Sequence, residues 1–468
     1  MLNLTSASTP TTSTQSFAAF VNAARGRGEI VVQPRMGFSD PEQMRDGLLA
    51  TRRARAVSVG TLTLDSYTRV RDYASAARAL ADGAPLNGYP ILSHLQQVTR
   101  GLLDSVRGPD FPVQVRHGSA EPYEIIRALS VLGLDATEGG PISYCLPYGR
   151  VPLRDAVRNW ARSCELLSEQ RETGAEPHLE SFGGCLLGQL CPPSLLIAVS
   201  VLEAMFFRQH GLRSVSLSYA QQTNADQDAE ALAVLGALAG HYLPDLDWHL
   251  VLYTYMGVYP TTRAGALRLL CDSAELAVRG GAARLIVKTS AESVRIPTVA
   301  ENVEALELAG AVAAACTRSR PAAPPPDTGL LAEAGALIEA VLELDDDLGA
   351  AMLRAVERGY LDVPYCLHPD NPGRTRSLIG PDGRLGWADT GSLPISGRAA
   401  HVGRARAGST DLLMALSYVK NRYDQAADLP ESVLAGAAAD TVRRGDPAAV
   451  GRAGRTVRTI RTLGKADH

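Results

Sequence analysis

Short β-branched runs alternate with longer stretches of helical apolar spacing through the first two thirds of this chain. The runs are 29–33 (EIVVQ), 56–64 (AVSVGTLTL), 86–92 (LNGYPIL), 112–116 (PVQVR), 178–182 (HLESF), 214–219 (SVSLSY), 248–255 (WHLVLYTY) and 284–289 (RLIVKT). Amphipathic segments such as RDAVRNWARSCELLSEQ and AGALRLLCDSAELAVRGG lie between most of them, and the second ends on glycines, a common helix stop. Such alternation predicts parallel strands joined by helical crossovers. Eight units match a (β/α)8 barrel, usually about 250 residues long. A doubly wound open sheet is the competing fold. It fits five or six units better than eight, and no GxGxxG follows the first run. The expected class is therefore α/β: a (β/α)8 TIM barrel with an appended C-terminal α+β region.

The same pass suggests boundaries. Residues 1–28 begin Ser/Thr-rich, without the basic start and apolar core of a signal peptide, and read as a flexible tail. Residues 29–318 form the barrel and carry the catalysis. Residues 319–329 are a Pro-rich linker, and 330–468 the C-terminal region, with hairpin-like turns near 361–394 and an Arg-rich end. The longest apolar stretch, 195–207, contains Glu203 and is too short to span a bilayer, so it reads as a buried helix.

Composition narrows the class. Hydrophobic content is 46% and charged content 21%, as in globular proteins. A net charge of −4 with no long basic run argues against nucleic-acid or membrane-surface binding. Seven scattered cysteines without a CxxC pair suggest reduced thiols and a cytoplasmic location. No metal-ligand cluster, GxSxG or Walker loop is present.

Barrel chemistry gathers at the C-terminal strand ends. There the sequence sets Arg35, Arg69, Arg116 with His117, and Lys288 with Glu292. Three guanidiniums at one mouth repel each other unless an anion fills it. A small substrate with two carboxylates meets that need by bidentate pairing, and a phosphate ester meets it nearly as well. Glu138, read as standing on a Gly139–Gly140 turn, is then a carboxylate for a substrate ammonium, with Tyr144 and Tyr148 behind it. Lys288 at a strand end also allows a Schiff-base lyase.

The segments QPRMG, TLDSYTR, LNGYP, VRHG, EGGPISYCLPY, YMGVYP and VKTSAESVRIPT, in this order from about residue 30 to 394, resemble the large (epsilon) subunit of coenzyme B12-dependent glutamate mutase, also called methylaspartate mutase. The resemblance implies a (β/α)8 barrel that forms a homodimer and binds a small subunit carrying adenosylcobalamin. It implies a radical rearrangement of L-glutamate to (2S,3S)-3-methylaspartate. The family's arginine claw falls on Arg35, Arg69 and Arg116, its catalytic carboxylate on Glu138, and its substrate tyrosines on Tyr144 and Tyr148. Its cofactor contacts fall on Gly37, Asn87, Lys288 and Glu292, with Thr63 and Met256 near the cofactor. Pro141 stands where the family has a third glycine. The chain lacks the DxHxxG motif of cobalamin-carrying domains, so a partner chain is expected. A related mutase for another amino acid and a non-catalytic scaffold are the other readings.

Overall fold

The computed structural model describes residues 16–317, 325–395 and 409–425. Its barrel portion runs α1 (Phe17–Gly26), β1 (Val31–Gln33), α2 (Pro41–Arg53), β2 (Gly60–Thr63), α3 (Ser66–Arg69), α4 (Tyr73–Ala81), α5 (Gln96–Val106), β3 (Val113–Arg116), α6 (Tyr123–Leu132), β4 (Ala136–Gly139), α7 (Leu153–Ser168), β5 (His178–Ser181), α8 (Pro193–Gln209), β6 (Ser214–Ala220), α9 (Ala225–Tyr242), β7 (Asp247–Tyr253), α10 (Arg263–Arg279), β8 (Arg284–Ile286) and α11 (Val299–Thr317). Then come α12 (Leu330–Leu342), α13 (Leu348–Arg358), β9 (Arg376–Ile379), β10 (Leu385–Asp389), α14 (Ser409–Leu416) and α15 (Tyr418–Gln425).

The eight strands form one parallel sheet in the order β1-β8-β7-β6-β5-β4-β3-β2. Val32 closes it: it bridges Ser58 in parallel, and its N–H donates to the Val57 carbonyl at 2.9 Å. The result is the expected (β/α)8 barrel. Helix α8, the longest apolar stretch, is buried along almost its whole length. Among the described residues no helix is long and apolar enough to cross a membrane.

Two strand assignments differ from the sequence reading. Residues 86–92 are not a strand; only a bridge from Leu64 to Tyr89 forms there. Gly88, at φ +131, and Pro90 interrupt the extended run. The missing strand is β4, ATEG, too short and too polar to stand out as an apolar run. Glu138 thus lies on a strand, where its orientation is fixed by the pleat, and not on a loose turn.

The expected tail of residues 1–28 is helical over α1, capped by Ser16, whose side chain accepts from the Ala19 N–H. Phe17 is fully buried at the N-terminal end of the barrel. Its N–H donates to Asp135 Oδ2 at 3.0 Å, its ring stacks on His178 at 5.5 Å, and the Arg284 guanidinium lies 4.9 Å from the ring centre. Most of the proposed linker, 318–324, lies outside the described residues, as do 396–408 and 426–468 of the C-terminal region.

Most of the C-terminal elements lie against the β4–β6 side, whereas α15 packs on α10. Helix α12 packs on α8, and α13 on α7 and α8. The antiparallel β9–β10 hairpin docks through Thr223 Oγ1 to the Gly383 carbonyl (2.7 Å), Gln227 to both backbone groups of Leu385, and an Arg384–Glu230 ion pair (2.5 Å). His368 meets the Val151 carbonyl at 2.9 Å, and Asp370 accepts the Leu153 N–H at 2.7 Å. These bonds fix the loop that follows β4.

Phe17→Ala empties the plug at the barrel floor. Deletion of a buried phenylalanine costs about 3–5 kcal/mol. The urea midpoint of the variant should fall accordingly.

Candidate active site

Strand β4 directs Glu138 into the barrel, where it is 1% exposed. Arg116, the last residue of the neighbouring β3, donates from Nε to Glu138 Oε2 at 2.7 Å. Tyr144 donates to Oε1, and Tyr253, from the far side of the barrel, donates to Oε2 at 2.7 Å. Burial works to raise the Glu138 carboxyl. The Arg116 charge and the bonds from Arg116, Tyr144 and Tyr253 outweigh it and hold the group below its ordinary value. Glu138 is an ionised acceptor at neutral pH.

The glycines after Glu138 have a steric role. Gly139 sits at φ +140, and a Cβ on Gly140 would stand 2.0 Å from the Glu203 carboxylate of α8. Glu203 occupies that space to accept the N–H groups of Ile142 (3.1 Å) and Ser143 (2.8 Å) and the hydroxyls of Ser143 and Ser181 (both 3.0 Å). The turn carrying Tyr144 and Tyr148 is therefore pinned from below. Tyr144 rests on Phe182, ring centres 4.9 Å apart.

The other expected residues gather around the same opening. Arg35, just beyond β1, pairs with Glu292 Oε1 at 2.7 Å, and Lys288 Nζ approaches the same oxygen at 3.2 Å. Desolvation lowers Lys288 to about 8, with Glu292 opposing and Arg35 reinforcing that shift. Burial raises Glu292, but Lys288 and Arg35 prevail and hold it below its ordinary value. Arg69, which ends α3 directly after β2, makes no ion pair among the described residues, and its buried Nε has no partner. It lies against Gly118, where a Cβ would approach Nε to 2.9 Å. The charges of both Arg35 and Arg69 act on the Tyr148 phenol, which burial pushes up to about 12. Yet 41% of Tyr148 is accessible.

Gly37 packs closely on Thr63 and Gly88: a Cβ there would stand 2.3 Å from the Thr63 carbonyl and 3.1 Å from the Gly88 Cα. Thr63 Oγ1 is buried without a partner. Asn87 is exposed, and Met256, half-buried, follows β7 against Gly188. His117 is buried. Its Nδ1 accepts the Ser119 N–H at 3.0 Å, its ring stacks on Trp160, and desolvation lowers it to about 4, so it is neutral.

Sequence reading missed the layer beneath. Arg284 on β8 is fully buried and pairs with Glu180 on β5. Arg284 also donates to Gln33 and, at 3.1 Å each, to Ser216 and His249 Nε2. Gln33 in turn donates to Gln114 at 2.7 Å. The Tyr253 hydroxyl lies within hydrogen-bond distance of Glu180 as well as of Glu138. One signal was available. Gln114 and Arg116, His178 and Glu180, and Ser214, Ser216 and Ser218 alternate at the period that puts every second side chain inside a barrel.

Burial pushes Glu203 up to about 7. Its folded value lies above the ordinary 4.5, so the stability it contributes is complete below about 4.5 and is lost as pH rises through about 7. Asp228, likewise raised to about 7, adds to the same loss. In Glu203→Gln the amide oxygen keeps the backbone donors and the serine hydroxyls turn to accept. The fall in urea midpoint between pH 5 and pH 8 should shrink in this variant without vanishing.

The family model described as Methylaspartate mutase E chain (MutE) matches residues 11–409. Glutamate mutase epsilon subunit of Halobacterium salinarum is 29% identical over 401 residues, covering 83% of each chain. The protein of that name from Desulfitobacterium hafniense is 29% identical over 408 residues, covering 84% of each chain. That from Yersinia enterocolitica is 30% identical over 400 residues, covering 81% of each. A solved structure, spore coat polysaccharide biosynthesis protein spsE from Bacillus subtilis, aligns at a TM-score of 0.35 and 11% identity, covering 66% of this chain and 77% of that one. With a family match across most of its length, the chain belongs to the Methylaspartate mutase E chain family, and so to the mutases, which are isomerases.

Proposed function

We propose that this chain is the catalytic subunit of a glutamate mutase that interconverts L-glutamate and (2S,3S)-3-methylaspartate with adenosylcobalamin. One observation carries the reading: an ionised, buried Glu138 stands beside Arg116, and the charges of Glu138, Arg35 and Arg69, whose Nε has no partner among the described residues, all act on Tyr148. Such a set of charges suits a small molecule with two carboxylates and one ammonium. Arg116 bonds to Glu138 only through Nε among the described residues, so its two terminal nitrogens remain for a substrate carboxylate. Arg69 offers a second guanidinium. Arg35 is shared with Glu292, and Glu292 keeps Lys288 as a partner when a substrate carboxylate takes Arg35. Glu138 accepts the ammonium and holds the amino end still during rearrangement. Tyr144 and Tyr148 line the same wall.

The residues present fit the cofactor. Thr63 Oγ1 is a buried hydroxyl without a partner, beside the close Gly37–Gly88 contact that leaves a surface free of long side chains. Asn87, Met256, Lys288 and Glu292 stand around the same mouth and would hold the adenosyl side. Adenosylcobalamin, when bound, supplies a cobalt–carbon bond whose homolysis opens radical chemistry at an unactivated C–H bond. The chain's own contribution is to bind, orient and exclude water. Val70, Leu95, Val258, Val294 and Ile296 are exposed on loops that follow the strands, an apolar rim suited to a covering partner. We take that partner to be a small cobalamin-carrying subunit, as the epsilon-subunit name of the relatives fits. A homodimer of this chain and a cytoplasmic location are proposed on the family resemblance and on the reduced cysteines.

A second reading has one specific observation behind it: Lys288, lowered to about 8, has a neutral fraction able to attack a carbonyl. Its pairing with Glu292 favours the ammonium form instead.

Mixing the chain with a cobalamin-carrying small subunit, adenosylcobalamin and L-glutamate should yield 3-methylaspartate by NMR. No product from glutamate, or a borohydride-trapped Lys288 adduct, overturns the mutase reading. Arg116→Lys should raise the KM for L-glutamate at least about tenfold, since a charged hydrogen bond is worth about 1.5–3 kcal/mol. Glu138→Gln should lower kcat by about a hundredfold or more, and its melting temperature should fall as well, because Arg116 loses its buried counter-charge.

A further inference from the structure

Glu138 and Glu180 occupy register-paired positions on β4 and β5, and both point into the barrel. Each has its own guanidinium, Arg116 and Arg284. A single hydroxyl, that of Tyr253, lies within hydrogen-bond distance of both carboxylates. A phenol has one proton, so it donates to one carboxylate at a time. An ionised carboxylate accepts about four hydrogen bonds. With Arg116, Tyr144 and Tyr253 all donating, Glu138 keeps about one acceptor position for an incoming ammonium. Glu180 Oε1 has no donor other than Tyr253 among the described residues.

We propose that Tyr253 is a positioning residue for Glu138: its hydroxyl serves Glu138 in the empty site and turns to Glu180 when a substrate ammonium arrives. The inference deepens the mutase reading and rests on it, because it presumes that Glu138 receives an amino group. Only the O–H direction changes. No bond to carbon forms or breaks, and no net proton enters the site. The ring itself is held by an edge contact to Phe182, centres 5.5 Å apart, and by the Arg116 guanidinium 5.2 Å from its centre. The titratable or charged groups that face the pair are Arg116 from β3, His117 after it, Tyr144 and Tyr148 after β4, Glu180 from β5, Cys185 after it, and Arg284 from β8.

The test uses the reconstituted enzyme and two molecules that differ in the amine: L-glutamate as substrate and glutarate as competitive inhibitor. In Tyr253→Phe the ionised form of Glu138 loses a donor. The acid limb of kcat/KM for L-glutamate should then move to higher pH by about one unit, a tenfold loss on that limb. The inhibition constant of glutarate, which has no amine, should stay within about twofold, since none of the three claw arginines is replaced. In Glu180→Gln the hydroxyl stays on Glu138, and the acid limb should move the opposite way. A structural role lowers the melting temperature but moves neither limb. An unmoved limb in Tyr253→Phe, an equal change for glutarate and glutamate, or same-direction shifts in the two variants overturns the proposal. If Tyr253→Phe does not fold, the Glu180→Gln limb decides alone. Wild-type enzyme without activity on glutamate instead overturns the mutase reading, and this inference with it.

Discussion

Charge inside a barrel must be neutralised where it stands, and this constraint organises the molecule. Arg116–Glu138 and Arg284–Glu180 are two buried ion pairs with opposite charges in equal number. Removing one member of such a pair leaves a charge without water or counter-ion, a penalty of about 3–5 kcal/mol. Tyr253 ties the pairs together across the interior. Most barrels of this kind fill their centre with Val, Ile and Leu. Here Gln33, Gln114, His178, Ser216 and His249 take those places and hydrogen-bond to one another or to the ion pairs. The network sets the direction of Glu138 before any ligand arrives.

Rigidity below and openness above follow from how the barrel is closed. Phe17 and α1 seal the N-terminal end, and the Glu203 carboxylate pins the turn behind Glu138. The C-terminal elements brace the loops after β4, β5 and β6, and Asp424 of α15 holds the loop after β7. Among the described residues nothing comparable covers Arg35, Arg69 and Tyr148, whose side chains keep accessible surface. A mouth that is open, cationic and rimmed by apolar residues is ready for a small anionic ligand and a covering partner.

Much of this was legible in the chain. The strand–helix alternation fixed the class, because only a barrel seats eight such units within about 250 residues. The ends of the apolar runs located Arg35, Arg116 and Lys288, because a barrel exposes its chemistry where strands stop. Three things were not legible. The β4 strand was hidden, since ATEG is four residues with no apolar period. The false strand at 86–92 was apolar enough to mislead, although Gly88 and Pro90 interrupt it. Helix α1 was taken for tail, because a ten-residue helix is held by its packing against the barrel floor more than by its own propensity.

Sequence by itself determined the architecture and the kinds of chemistry, for these depend on periodicity and on residue type, which are local. Tertiary structure alone decided which groups act on each other. Tyr253 lies more than a hundred residues from Glu138 in the chain, and Arg284 lies as far from Glu180. Closure of the sheet brings them to one centre, where a low dielectric turns nearness into strong coupling.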